Sequence, residues 1–114
     1  MVSKRGLKAT ALCAIRLIEE QGFRQGKHGP GLCVGDAIVE ADPKKKYRWT
    51  LWARAESVIC ATTRMRHTSR GKRLIPRWND KPGRLKVEAV KLLRCVANYD
   101  IPFTYRDSRG LVDS

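Results

Sequence analysis

Four stretches of this chain repeat apolar residues every three or four positions, and glycine- or proline-bearing stretches separate them. That spacing is helical, because residues one turn apart on a helix share a face, whereas a strand alternates at every second residue. The first stripe is Leu7, Ala11, Ala14, Ile15 and Ile18. Gly22 suits the position just past a helix end, with Phe23 folding back on the last turn. The stretch FRQGKHGPG then reads as a mobile loop. Val34, Ala37, Ile38 and Ala41 mark a short second helix, which Asp42-Pro43 ends or hands on.

A third helix has two candidate starts. Asp42 as N-cap with Pro43 at the first helical position is a good initiation signal. A start near Thr50 instead leaves Lys44, Lys45 and Lys46 on a loop. Leu51, Ala55, Val58, Ile59 and Thr62 supply its buried side, and Trp52, in register with Ala55 and Ile59, is expected in the core. The fourth helix spans about 85–98, with Ala89, Val90, Leu93, Val96 and Ala97 facing inward. After it, IPFTY is a short edge strand or an extended tail. The expected fold is a mainly α, single-domain bundle of about four helices over 1–114, with flexible termini at 1–6 and 106–114. A chain of 114 residues with 42% hydrophobic content fits one modest core.

Charge is the strongest functional signal. The net formal charge is +13, and residues 44–78 hold 11 Lys/Arg against 1 acid, a net +10. Solubility alone does not require charge gathered in one place, whereas a polyanion partner does. Within the basic segment, 44–77, KKKYRWTLWARAE interleaves cations with aromatic rings. Cations neutralise phosphates while aromatic faces stack on bases. Lysines in the first turn of a helix beginning at Pro43 oppose its dipole by about 0.3–1 kcal/mol each, which favours a binding role over a purely structural one. The candidate nucleic-acid contacts are Lys44, Lys45, Lys46, Tyr47, Arg48 and Trp49. A second basic run, RMRHTSRGKRLIPR, reads as a mobile loop that adds Arg64, Arg66, Arg70, Lys72, Arg73 and Arg77. His67 among them reads as solvated rather than catalytic.

Catalytic signatures are missing: the chain has no G-x-x-x-x-G-K-[ST] loop, H-E-x-x-H helix or G-x-S-x-G elbow. Asp36 and Glu40, one turn apart, suit a shared cation but read more simply as a solvated acidic face. Cys33, His28 and Asp36 can be drawn as a nucleophile set, with nothing to fix their geometry. Cys13, Cys33, Cys60 and Cys95 form no C-x-x-C pair. Each lies in an apolar-periodic stretch and is expected as a small buried hydrophobe in a reducing cytosol. No cofactor or metal is expected. Arg16 interrupts the first apolar stretch, so no signal peptide is apparent and no run approaches a membrane span of roughly 18–20 residues. A cytoplasmic protein without a membrane partner is the expectation.

The stretch RWNDKPGRLKVEAVKLL sets a polar turn against an apolar helical pattern. Pro82-Gly83 is a strong turn dipeptide, Asn79 and Asp80 can bond nearby backbone amides, and Trp78 offers an anchor for the following helix. Arg77 and Arg84 flank the turn and suit anion contacts. This Trp-Asn-Asp-x-Pro-Gly-Arg turn before the last helix resembles that of an uncharacterised family of small bacterial and phage proteins. ATALCAIRLIEEQGFRQG and GLCVGDAIVEA resemble the same family's first helix, Gly-aromatic turn and second helix. The resemblance covers about half the chain and implies no established activity. Members of the family tend to place Thr after Pro-Gly-Arg as part of a capping box, where this chain has Leu85. A leucine accepts no amide bond, so Asn79 or Asp80 takes over the cap or the helix starts differently.

The first functional reading is a small basic protein that binds DNA, RNA or a nucleoprotein through 44–77. The resemblance to phage proteins adds host takeover or action against host defence as its setting. A second reading is an inhibitor docking on the acidic surface of a host enzyme. A third is a small hydrolase or nuclease with an unrecognised site, which no motif supports.

Overall fold

Ser3 opens the first helix, its hydroxyl accepting from the Gly6 amide at 3.0 Å. This N-cap satisfies one of the amides that the first turn leaves without a helical partner. Helix α1 therefore runs Lys4–Gln21, and Lys4, Arg5 and Gly6, expected within a frayed start, form its first turn. The computed structural model describes residues 3–67 and 73–99. The expected edge strand IPFTY and the tail 106–114 lie outside the described residues.

Past Gly22, the chain makes a loop whose two ends meet. The Arg24 amide donates to the Leu32 carbonyl at 3.0 Å and the Leu32 amide to the Gly22 carbonyl at 2.9 Å. Gly31 sits at φ +94°, and a Cβ there would fall 2.9 Å from the Gly22 carbonyl oxygen, so this closure requires glycine. Helix α2, Val34–Ala41, follows, with the Cys33 thiol accepting from the Asp36 amide at its start.

Helix α3 spans Arg48–Thr62, so the later of its two candidate starts is the nearer one. Lys44, Lys45 and Lys46 occupy a turn before it and not its first turn, and the dipole argument for them weakens accordingly. Asp42 nonetheless controls the start from a distance. Its carboxylate accepts from the amides of Lys46, Tyr47 and Arg48 at 3.1, 2.9 and 2.7 Å. One buried side chain thus ends α2 and satisfies amides at the head of α3.

Part of the run expected as a loop is helical. Helix α4, Leu74–Asn79, buries Leu74, Ile75, Trp78 and Asn79. Six residues are too few for periodicity to reveal, and burial against the other helices stabilises what propensity alone does not. Helix α5 spans Lys86–Asn98. Neither Asn79 nor Asp80 caps it. The Leu85 amide donates to the Glu88 carboxylate at 2.8 Å, so the acidic half of a capping box works without its partner.

The bundle has five helices among the described residues, one more than expected, with an isolated bridge between Phe23 and Leu32 and no strand. Helix α1 packs chiefly on α5 and α2, and α3 packs on α5. Ala11, Ala14 and Ile18 of α1 and Ala89, Leu93 and Val96 of α5 are fully buried in the shared core. Leu92, absent from the expected inward set, is also buried, whereas Val90 is only partly so. No helix among the described residues is long and apolar enough to cross a membrane.

Candidate nucleic-acid interface

The twelve basic-segment candidates divide by what their side chains already hold. Lys44, Lys45, Lys46, Trp49, Arg64 and Arg73 are exposed. Trp49, on the first turn of α3, is 73% exposed, more than any other large exposed hydrophobic side chain among the described residues. Tyr47 is half-buried and packs against the core, with the Lys46 ammonium 5.4 Å from its ring centroid. Arg48 donates to the Asp42 carbonyl at 2.7 Å and pairs with the Asp42 carboxylate at 3.6 Å. Arg66 donates to the carbonyls of Thr63 and Met65 at 3.1 and 2.6 Å, and Arg77 in turn donates to the Arg66 carbonyl. Arg48, Arg66 and Arg77 therefore shape the backbone that carries the exposed cations. Arg70 and Lys72 lie outside the described residues.

The charge environment of Asp42 follows from its position. Burial alone would raise its pKa, but the amides of Tyr47, Arg48 and Lys46 together with the Arg48 guanidinium outweigh it and hold the carboxyl below its ordinary value.

Bordered by Trp49 and Arg73, a cleft of about 780 Å³ lies between α2, α3, α4 and the glycine loop. Trp49, Trp52 and Glu56, at i, i+3 and i+7 of α3, line one side. The neighbouring stripe of the same helix, Leu51, Ala55, Val58 and Ile59, lies in the core. Trp52, expected in the core, is split between the two. Its ring packs on the core yet borders the cleft, resting where a Gly35 Cβ would come within 2.8 Å of the indole. Ile75, Pro76 and Asn79 of α4 add to the lining.

The Trp-Asn-Asp turn secures the cleft and acts well beyond starting the next helix. Asn79 accepts from the Val34 amide at 2.9 Å and donates to the Arg24 carbonyl at 3.0 Å. Asp80 accepts from the Gly26 amide at 2.8 Å, and Gln25 donates to the carbonyls of Asn79 and Lys81. Arg84, expected to be available for anions, is buried instead. Its guanidinium lies 3.9 Å from the Trp78 ring centroid and donates to the Trp78 carbonyl at 2.9 Å.

The proposed nucleophile set does not assemble. His28 is exposed on the loop, and no hydrogen bond among the described residues joins it to Cys33. Burial raises the Cys33 thiol above its ordinary pKa, which disfavours the thiolate a nucleophile needs. Asp36 pairs with Arg24 rather than sharing a cation with Glu40. The four cysteines are unbridged and half-buried, not fully buried as their periodicity suggested. Among the described residues no group of three or more His, Cys, Asp or Glu side chains is gathered to hold a metal ion.

A small helical bundle with exposed cations and a tryptophan-lined cleft is the class that these features define. A family model matches residues 5–99, and the chain belongs to that family, a family of unknown function (DUF6197). No curated protein and no solved structure matches the chain.

Proposed function

We propose that this protein binds nucleic acid through the exposed side chains Lys44, Lys45, Lys46, Trp49, Arg64 and Arg73. The observation that carries the reading is the pairing of exposed cations with an indole that is 73% exposed while the other two tryptophans pack against the core. A tryptophan this exposed gains little from packing, but it offers a π-face on which any base can stack. Lys44, Lys45 and Lys46 just before it in the chain, Arg73 across the cleft and Arg64 past the far end of α3 supply sequence-independent contacts to phosphates. Host takeover or action against host defence, the setting implied by the resemblance to phage proteins, would operate through this contact.

Salt titration tests the reading. With about five phosphates neutralised on duplex DNA, the slope of log affinity against log salt is expected near −4 to −5. An affinity that does not change with salt would exclude an electrostatic contact. Capture of an acidic protein without any nucleic-acid affinity would favour the inhibitor reading in its place.

A further inference from the structure

We infer that the cleft holds one unpaired nucleotide whose base carries an exocyclic amine, a site that builds on the nucleic-acid reading and gives it a chemical preference. Three observations converge. Trp49 and Trp52 border the cleft from one helix face, with Ile75 and Pro76 in the same lining, so apolar and aromatic surface is available to a flat ring. Glu56 stands one turn past Trp52 on that face, and no cation among the described residues pairs with it. A carboxylate there accepts a hydrogen bond from an amine such as N4 of cytosine, and thymine offers a carbonyl oxygen at the same place. Lys27 and Arg73 line the cleft as well, are exposed, and pair with no carboxylate among the described residues, whereas Arg24 and Arg48 already hold Asp36 and Asp42. Lys27 and Arg73 are therefore the cations left for a phosphate.

The size is suitable, since pockets for small ligands run about 300–1,000 Å³. Gly35 is part of the design: the absent Cβ lets the Trp52 ring settle against α2 and leaves the cleft open above it. Bases inside a duplex present only their edges, so a site that uses indole faces requires a base outside the stack. A single strand or a free mononucleotide meets that requirement.

The test measures binding of labelled 12-mers of oligo(dC) and oligo(dT) and of a 12-base-pair duplex at matched salt, with indole emission followed during titration by cytidine monophosphate. Oligo(dC) is expected to bind about fivefold more tightly than oligo(dT), and more tightly than the duplex, with quenching of indole emission. Trp49→Leu is expected to weaken oligo(dC) about tenfold, while Trp49→Phe keeps most of the affinity because an aromatic face remains. Glu56→Gln is expected to remove the preference for dC over dT. Equal binding of all three nucleic acids with unchanged indole emission overturns the cleft site and leaves standing only the reading of phosphate contacts by the exposed cations, without the stacking role of Trp49. Failure of every strand and duplex to bind overturns that reading. Quenching by cytidine monophosphate that Glu56→Gln abolishes would then still establish the cleft, as a site for free nucleotide.

Discussion

The two sides of the bundle are held together by different physics. Where α1 packs on α5, both helices bury apolar side chains in the shared core, Leu7, Ala11, Ala14 and Ile18 from α1 and Ala89, Leu93 and Val96 from α5. Around the cleft, polar side chains hold backbone groups: Asn79 reaches Val34 and Arg24 far away in sequence, and beside the cleft Asp42 holds the head of α3 a few residues on. The apolar side tolerates changes that keep volume and hydrophobicity, because the hydrophobic effect is non-directional. The cleft side depends on geometry, because a buried donor without its acceptor carries its full desolvation cost.

Truncations separate these two regimes, and the largest effect is expected at Trp78. Trp78→Ala removes a side chain that is 5% exposed and leaves Arg84 without the ring it covers, so a loss of about 3–5 kcal/mol is expected in chemical denaturation. An unchanged midpoint with lost binding would turn Trp78 into a ligand contact. Asp42→Ala comes next, at about 2–4 kcal/mol, because three amides lose their acceptor and Arg48 its counter-ion.

Asp42 also gives the comparison a pH axis. Its folded pKa is lowered, so its contribution is present above the unfolded value of about 3.9 and is lost as pH falls through the lower folded value. Melting curves across that acid range should show a steeper decline for the natural protein than for Asp42→Asn. Parallel declines would mean that other carboxylates govern acid stability.

Asn79→Ala is expected to cost about 1–3 kcal/mol, again through stranded backbone groups. Its mark should be faster amide exchange at Val34 and in the loop at 22–31, with little change in α1 and α5. Uniform exchange across the chain would dissolve the distinction between the two sides.

The smallest effect on stability is expected from replacing Lys44, Lys45 and Lys46 together by Gln. All three are exposed and lie before α3, so melting should hardly move. The salt slope for nucleic acid should become shallower by up to about three. A much lower melting temperature would make these lysines structural, and unchanged binding would shift the contact to Arg64 and Arg73.

The contrast explains which parts of the structure were legible in the sequence. The stripes of α1, α2, α3 and α5 declared themselves because an apolar face repeats over two turns or more, and the position of Leu51, Ala55, Val58 and Ile59 followed from it. Helix α4 did not, because Leu74, Ile75 and Trp78 give too short a pattern around Pro76. From the sequence Asn79 and Asp80 are local turn formers, since nothing in a sequence tells a side chain that bonds its neighbour from one that bonds a residue 45 or 54 positions away. Basic residues posed the same difficulty. Composition located Arg48, Arg66 and Arg77 in the charged segment, but only coordinates reveal that their guanidinium groups hold carbonyls. The split role of Trp52 depends on the missing side chain of Gly35, a partner on another helix.

The long reach of Asn79 also has a kinetic meaning. Its bonds close loops of 45 and 55 residues, and the entropy of such closure must be met before the contacts return anything. A six-residue helix such as α4 does not nucleate by itself in water. The cleft is therefore expected to assemble after the α1–α2 pair and to open ahead of it, with substitutions at Asn79 quickening unfolding while leaving the folding rate almost unchanged. A ligand seated there would act as a brake on an early step of unfolding, lengthening the lifetime of the whole bundle from one of its late-built corners.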